Sequence, residues 1–197
     1  MSSVPLFSIF CIDFRFDAFV ADFYKGIGRE LSYYASTVAG GAMPLGYKKY
    51  CKQVCNGCKN KSCNPGNSSM KLLKNNLVEN LNIALTLSPI TESFLLNHQD
   101  CGAIKGFLSC SGYPTVKGSN NKKEIEINES LLTYATKYMT KKFPKIKFTL
   151  GLIDLNGYVA TFDVITKIWT VIFISTETQL EEKAFWYGLK VGSTYKN

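Results

Sequence analysis

Apolar and polar positions along the chain follow two periodicities, one typical of buried strands and one typical of helices. Residues 5–12, PLFSIFCI, form an apolar run rich in β-forming residues, which predicts a buried parallel strand. Apolar residues recur at helical spacing in residues 17–33, so a helix or a helical loop follows. The segment YYASTVAGGAMPLG then predicts a second short strand that leads into a glycine-rich turn at Gly40 and Gly41.

The same two patterns continue in the rest of the chain. Apolar residues from Met70 to Leu87 predict an amphipathic helix that leads into a strand in SFLLNH. Residues 102–115 predict a helix start and a loop, and SNNKKE predicts a surface loop. The segment NESLLTYATKYMTKKF predicts a helix with Asn128 as its N-cap. Two further strands are expected in KIKFTLGLIDL and IWTVIFIS, around an Asn-Gly turn.

The alternation of strands and helices indicates the fold class. It is typical of an α/β protein with a central, mostly parallel β-sheet flanked by helices. A chain of 197 residues, nearly half of them apolar, has the size and composition of one globular domain, which we place at 1–197. Residues 47–69 differ from the remainder because they are short, polar, rich in lysine and hold four cysteines. We interpret them as an insertion within that domain.

Charge and cysteine content narrow the function classes. The formal net charge of +8 would suit an anionic partner such as nucleic acid. The lysines are spread along the chain with only two arginines, which favours a solvated lysine-rich surface. We find no secretory leader and no apolar run of about 18 residues, so we expect a soluble, intracellular (cytoplasmic) protein without a membrane span. Seven cysteines in such a chain indicate metal-bound thiolates rather than a disulfide framework.

Polar residues with metal-binding chemistry follow two of the predicted strands. Sites in open α/β sheets form at the carboxyl ends of the strands, where Cys11, Asp13, Arg15, His98 and Cys101 fall. Two cysteines and one histidine are the ligand set of a catalytic zinc ion, because zinc accepts thiolate and imidazole and keeps a fourth position open. We therefore expect Cys11, His98 and Cys101 to hold Zn²⁺.

Each of these residues also has a purely structural interpretation. A lone histidine is more often a core or surface residue than a ligand. Asp13 and Arg15 would also suit a local salt bridge that caps the following helix.

The motifs CIDFR and NHQDCGA together resemble those of the β-class carbonic anhydrases. In that family a cysteine from a Cys-x-Asp-x-Arg stretch and the histidine and cysteine of a His-x-x-Cys-Gly stretch hold zinc. The segments STVAGGA and FTLGLIDLNGYV resemble the turn and the late strand of the same family, so the match covers about residues 5–46, 70–110 and 129–163. More narrowly, the motifs resemble a divergent branch of carbonic anhydrase-like proteins.

The resemblance implies a fold, a reaction and residue roles. It implies a β-carbonic anhydrase-like sheet and the reversible hydration of CO2 to bicarbonate by zinc-bound hydroxide. Asp13 would accept a hydrogen bond from the zinc-bound water, and Arg15 would hold Asp13. If the pairing with Arg15 were broken, Asp13 could take the fourth zinc position and close the site. Family members assemble as homodimers or larger homo-oligomers, which we expect here too.

Two alternatives to carbonic anhydrase activity stay open from the sequence. The first is a catalytically weak or inactive carbonic anhydrase-fold scaffold that uses its basic insertion to contact protein or nucleic acid. The second is a zinc hydrolase of CS2 or COS, which the apolar Phe14 and Phe16 would suit.

The insertion carries a second set of thiols, Cys51, Cys55, Cys58 and Cys63. Four thiolates at this spacing predict a structural zinc ion in a zinc-knuckle-like loop. An iron–sulfur cluster is the rival interpretation, and disulfides or free thiols are a third. The lysines of the same segment make it a basic surface that would suit a protein or nucleic-acid partner.

Overall fold

The structure, a computed structural model, describes residues 4–53, 63–115, 121–175 and 191–193, the last of these by backbone only. Within these ranges the strands are β1 (Leu6–Cys11), β2 (Tyr33–Val38), β3 (Glu92–His98), β4 (Lys147–Ile153), β5 (Tyr158–Asp163), β6 (Ile168–Ile174) and β7 (Val191–Ser193). The helices are α1 (Asp17–Gly26), α2 (Met43–Gln53), α3 (Ser68–Leu87), α4 (Gly102–Phe107) and α5 (Asn121–Lys142). Single 3₁₀ turns occupy Phe14–Phe16 and Ser109–Ser111.

The strands form one sheet in the order β2-β1-β3-β4-β5-β6-β7. The four strands β2, β1, β3 and β4 are parallel, β5 and β6 pair antiparallel, and β7 lies parallel to β6. The predicted α/β class with a mostly parallel centre is thereby confirmed. The chain changes direction across the sheet between β1 and β3, and such a switch point is where α/β sheets leave a crevice at their carboxyl edge.

Helices cover both faces of the sheet because successive strand residues point to opposite sides. Leu6 on β1 and Leu96 on β3 pack with residues of α1 in one cluster. Phe7 and Leu95 face the other side, where they join the main core with residues of α3 and α5. The strands β1 and β3 are therefore buried on both faces, as their nearly continuous apolar sequences indicated.

Most of the predicted elements are confirmed, with shifted boundaries. The strand expected in residues 5–12 is β1, the one in SFLLNH is β3, and the helix from Met70 to Leu87 is α3. The side chain of Asn67 caps α3 by accepting from the Met70 amide at 3.0 Å. The helix after β1 ends at Gly26, well before the end of the predicted range.

The predicted start of α5 is wrong. The helix begins at Asn121 instead of after Asn128, and the last four residues of the expected SNNKKE loop belong to it. Asn128 lies inside the helix with no exposed surface. Its side chain donates to the Glu124 carbonyl at 3.0 Å and accepts from Asn97 at 2.9 Å. A buried polar partner has thus overridden the preference of asparagine for a helix end.

The sequence also missed β5, which lies between the two expected late strands. The Asn-Gly turn connects β4 to β5, and Gly157 adopts the positive φ of 80° that this turn needs. In the predicted insertion, residues 47–53 continue α2, because Tyr47, Tyr50 and Cys51 form a buried helical stripe. Residues 54–62 of the insertion lie outside the described residues.

In the described residues there is no helix that is both long enough and apolar enough to cross a membrane.

Candidate metal centre

Two adjacent parallel strands and the residue before α4 bring three ligand-type side chains together. Cys11 is the last residue of β1, His98 is the last residue of β3, and Cys101 directly precedes α4. One ligand atom from each lies within 4.8 Å of the other two. All three residues are buried. The residues that the sequence predicted as zinc ligands therefore meet in space.

The imidazole of His98 is oriented as a ligand. Its Nδ1 lies 2.7 Å from the Gln99 carbonyl oxygen, which fixes Nδ1 as the protonated nitrogen. Its Nε2 is buried and has no hydrogen-bond partner. The ring of Phe16 packs on the imidazole with a centroid distance of 4.1 Å. A metal ion bound by Nε2 would satisfy this otherwise unpaired lone pair, so the residues fit the group that the resemblance implied.

The thiol of Cys11 has the character of a thiolate. A hydrogen bond from the Cys101 thiol is the largest influence and, against the opposing effect of burial, lowers the pKa of Cys11 to about 4. The Gly40 amide also donates to the Cys11 sulfur at 3.3 Å. The same hydrogen bond, together with burial, raises the pKa of Cys101 well above its usual value. The two pKa shifts therefore have opposite signs, and negative charge is favoured on the Cys11 sulfur.

The glycine turn after β2 builds one wall of this centre. Gly40 and Gly41 have φ angles of 86° and 58°, which glycine adopts without strain. A Cβ on Gly41 would lie 2.4 Å from the Leu96 carbonyl oxygen and 3.3 Å from the Cys11 amide nitrogen. The turn is anchored to β3 because the Ala42 amide donates to the Asn97 side chain at 3.0 Å. Only glycine allows the turn to approach β1 and β3 this closely.

Asp13 and Arg15 form an ion pair beside the three ligands. Arg15 donates from Nη2 to Asp13 Oδ2 at 2.6 Å and from Nε to Oδ1 at 2.9 Å. These hydrogen bonds hold the pKa of Asp13 below its usual range, so the carboxylate stays ionised. Asp13 Oδ2 lies 3.9 Å from Nε2 of His98. The carboxylate is therefore next to the metal position but is held by Arg15.

Asp13 and Arg15 also form the local capping salt bridge that was the structural alternative from the sequence. Asp13 is the N-cap of the 3₁₀ turn Phe14–Phe16, and its side chain accepts from the Arg15 amide at 3.2 Å.

Asp100, which the sequence reasoning did not single out, binds Arg15 from another side. Arg15 donates from Nη1 to Asp100 Oδ2 at 2.9 Å and from Nη2 to the Asp100 carbonyl at 3.2 Å. Lys105 pairs with the other carboxylate oxygen of Asp100. Burial raises the pKa of Asp100, but the hydrogen bonds from Lys105 and Arg15 outweigh it and the net shift is downward. A signal existed in the sequence, since Asp100 lies within the His-x-x-Cys motif itself.

Comparisons with known proteins agree with this architecture. No model of a known protein family matches the chain. An uncharacterized protein of Rickettsia bellii (strain RML369-C) is 23% identical over 151 residues, which are 77% of this chain and 77% of that protein. Among solved structures, the β-carbonic anhydrase CcaA superposes with a TM-score of 0.51 and 14% identity, covering 87% of this chain and 80% of that chain.

The chain has a β-carbonic anhydrase-like fold. The fold implied by the resemblance is thereby confirmed, and at this identity the likeness concerns the fold alone. Within this fold, a group of two cysteines and one histidine that could hold a metal ion lies at the carboxyl edge of the parallel strands.

The opening beside the metal centre of this β-carbonic anhydrase-like fold is shallow and mostly apolar. Cys11, Asp13 and Arg15 line it together with Ile12, Phe14, Ala39, Gly102 and Ala103, around a cavity of about 390 Å³. Phe14 is 81% exposed at its rim. Phe16 is buried behind the His98 ring and does not line the opening. The sequence suggested that Phe14 and Phe16 would both suit an apolar substrate. Only Phe14 lines this opening.

The second cysteine set is described only in part. Cys51 is buried near the end of α2, and Cys63 packs against the same apolar cluster. Cys63 is disulfide-bonded. Cys55 and Cys58 lie outside the described residues. A disulfide-bonded Cys63 offers no thiolate, which conflicts with the expectation of metal-bound thiolates at this residue, and the four-thiolate zinc site stays a prediction.

Proposed function

We propose that the protein is a zinc-dependent carbonic anhydrase-like enzyme that reversibly hydrates CO2 to bicarbonate. The observation that carries the proposal is the meeting of Cys11, His98 and Cys101 beside an Asp13 carboxylate that Arg15 holds. This constellation lies at the carboxyl edge of a β-carbonic anhydrase-like sheet. A ligand set of this kind leaves one tetrahedral position free for a reactant.

Three protein ligands would hold the ion. A zinc ion with three such ligands acts as a Lewis acid and lowers the pKa of a water in its fourth position to about 7. His98 presents the unpaired Nε2, and the Gly40 amide supports the Cys11 sulfur as a thiolate. We propose a cytoplasmic location, because a reducing compartment keeps both thiols available as ligands and would also reduce the disulfide at Cys63.

Asp13 and Arg15 orient the reacting water. An ionised carboxylate can only accept hydrogen bonds, so Asp13 would orient a water beside the metal by accepting its O–H. Arg15 keeps Asp13 ionised and holds its carboxylate beside the ligand position, rather than in it, through charge-assisted hydrogen bonds. The apolar rim of Ile12 and Phe14 gives CO2 a surface on which it displaces little ordered water.

The test is stopped-flow hydration of CO2 by the purified, zinc-loaded protein. We expect measurable hydration by the wild type and a loss of about 10²-fold or more in Asp13→Ala, in the range of mutations that remove a preorganised polar group. Circular dichroism and zinc content of the variant control for folding and metal loss. A wild type that binds zinc at this centre but does not hydrate CO2, even well above pH 8, would contradict the enzyme proposal in favour of a scaffold.

A related substrate is the second candidate, favoured by the apolar rim. Ile12 and Phe14 are 60% and 81% exposed beside the centre, and they would accept the larger, more polarisable CS2 or COS as readily as CO2. Parallel assays of sulfide release from both compounds distinguish these reactions. Faster turnover of COS or CS2 than of CO2 would identify the hydrolase.

The exposed rim also supports an oligomer. Ile12 and Phe14 are exposed side by side, and contiguous apolar surface of this kind is typical of sites that a partner covers. We propose a homodimer or larger homo-oligomer in which this rim lies at or near the contact. Light scattering after gel filtration measures the mass, and we expect Phe14→Ser to shift it toward the monomer.

For the insertion we propose a structural zinc ion held by Cys51, Cys55, Cys58 and Cys63. The shared apolar cluster of Cys51 and Cys63 supports it, whereas the disulfide at Cys63 requires that zinc be added under reducing conditions. We expect about two zinc ions per chain, and about one in a Cys51→Ser/Cys55→Ser variant that still hydrates CO2. An iron–sulfur chromophore, or the same zinc content in both proteins, would contradict this site. The basic surface of the insertion remains our proposed contact for protein or nucleic acid.

A further inference from the structure

The guanidinium of Arg15 donates hydrogen bonds to two carboxylates through different N–H groups. Asp13 occupies the edge formed by Nε and Nη2. Asp100 occupies Nη1 at 2.9 Å, and its carbonyl takes a second bond from Nη2 at 3.2 Å. The proposed function gives a role to the contact between Arg15 and Asp13, but none to the contact between Arg15 and Asp100. Since an Arg fork has five N–H donors in fixed positions, the two carboxylates do not compete for one hydrogen.

Asp100 is held in place by groups other than Arg15. Its backbone has a φ of 60°, a left-handed conformation that Asp and Asn adopt more readily than most residues. Its amide donates to Glu124, a buried carboxylate on α5 that also accepts from the Tyr113 hydroxyl. Its Oδ1 pairs with Lys105 on α4. Asp100 is thus a fixed point anchored to two helices.

Arg15, by contrast, depends on its ion pairs for its position. Its side chain is 38% exposed. Within the described part of the chain, its charged end is held by Asp13 and Asp100, apart from the ring of Phe16 at 5.7 Å from the guanidinium carbon. Asp13 itself caps the turn after β1, with Oδ2 only 3.9 Å from the buried Nε2 of His98. A rotation of the Asp13 side chain would bring an oxygen into the region that the three ligands face.

We propose that Asp100 is a positioning residue that anchors Arg15, thereby keeps Asp13 paired with Arg15, and so leaves the fourth position of the metal centre open to anions. This inference rests on the proposed metal centre. Lys105 neutralises the charge that Asp100 would otherwise add next to that position. Asp100 and Lys105 therefore act on the site through Arg15 rather than by touching a reactant.

The test uses the full chain loaded with Co²⁺, whose visible spectrum reports the coordination of the metal. Thiocyanate is titrated at fixed pH into the wild type and into Asp100→Asn, a substitution that keeps tolerance for the left-handed backbone and removes only the charge. We expect thiocyanate to bind Asp100→Asn about five- to tenfold more weakly, because Asp13 then occupies the metal in part of the population. Removal of a negative charge would by itself strengthen anion binding, so the direction of the change is diagnostic.

A double-mutant cycle assigns the effect to Asp13. In an Asp13→Asn background no carboxylate can close the site, so adding Asp100→Asn should leave thiocyanate affinity unchanged or slightly stronger. Glu92→Gln is the matched control, because it removes a carboxylate from the other arginine pair, Arg29–Glu92 at 3.2 Å, at the opposite end of β3. We expect wild-type thiocyanate affinity in that control.

Two results would overturn the role of Asp100. One is wild-type affinity in Asp100→Asn, and the other is an equal weakening in the Asp13→Asn background. Either result can be distinguished from the case in which the proposed metal centre itself does not exist. A chain that takes up no Co²⁺ through Cys11, His98 and Cys101 refutes both, whereas a cobalt centre that binds thiocyanate identically in wild type and Asp100→Asn refutes only the positioning role. Cobalt in the four-thiolate set would be fully coordinated by sulfur and would not respond to thiocyanate.

Discussion

At the scale of single residues, the side chains of the centre are defined by which of their atoms have partners. A buried nitrogen without a partner, such as Nε2 of His98, destabilises a fold by about 1–3 kcal/mol, and a bound metal ion would remove that penalty. Asp13 shows the reverse case. Both of its oxygens accept hydrogen bonds from Arg15, so its charge is compensated by the guanidinium although Oδ2 lies 3.9 Å from Nε2 of His98. Local capping and a role at the site thus coexist in one residue.

The two carboxylates on Arg15 should make stability depend on pH. Both Asp13 and Asp100 have a pKa below the usual 3.8, so each contributes stability that is present above that value and is lost as the pH falls through the lowered pKa. Arg15→Met removes the partner. We expect it to destabilise the protein by about 1 kcal/mol or less at pH 7, because the pair is partly solvated, and to have a smaller effect near pH 3. Urea unfolding at both pH values measures the difference, and an equal effect at the two would contradict this origin.

At the scale of elements, the site is assembled by strand ends and the turn between β2 and α2. Parallel pairing of β1 with β3 places Cys11 and His98 at the same edge of the sheet. The Gly40–Gly41 turn closes over them because it has no side chains to obstruct it. The buried pair Asn97–Asn128 links β3 to α5 and, through the Ala42 amide, to this turn. The element boundaries near the site therefore follow tertiary hydrogen bonds.

Alanine substitutions at two glycines should distinguish the effect of this close backbone approach from the general effect of replacing a glycine. Gly41→Ala would place a Cβ 2.4 Å from the Leu96 carbonyl, at a positive φ. We expect a loss of about 2 kcal/mol or more in unfolding free energy, together with weaker zinc binding, because the turn next to Cys11 must move.

Gly106→Ala in α4 is the matched control, since nothing lies within 4 Å of a Cβ there. We expect it to be neutral or stabilising by up to about 1 kcal/mol. Thermal unfolding and competition with a zinc chelator measure both variants. Equal effects of the two substitutions would contradict the steric explanation.

At the scale of the whole molecule, the number of histidines would limit the proposed reaction. The chain contains a single histidine, and the structure uses it within the ligand cluster. No second imidazole in the chain could then carry protons between the centre and bulk water, although histidine is the side chain best suited to that task near pH 7. Proton transfer would have to rely on solvent or buffer.

We therefore expect CO2 hydration to depend on buffer. At fixed pH and ionic strength, raising the imidazole concentration should increase the maximal rate until another step limits it. Stopped-flow traces over a series of imidazole concentrations, with sodium chloride replacing buffer in the control series, measure this. A rate that is independent of imidazole would show that another group of the protein transfers the proton.

The sequence by itself determined the parts of this protein that depend on local pattern. Strands that are buried on both faces have nearly continuous apolar sequences, so β1 and β3 were predictable. The helical periodicity of its apolar residues likewise predicted α3. The ligand candidates were predictable from their place at the ends of predicted strands. The start of α5 and the strand β5 were not, because Asn128 is satisfied by Asn97 from β3 and β5 forms by pairing with its neighbours. Only the tertiary structure decided that Arg15 is shared between Asp13 and Asp100. That arrangement requires the ends of β1 and β3 to meet, and separation along the chain carries no information about it.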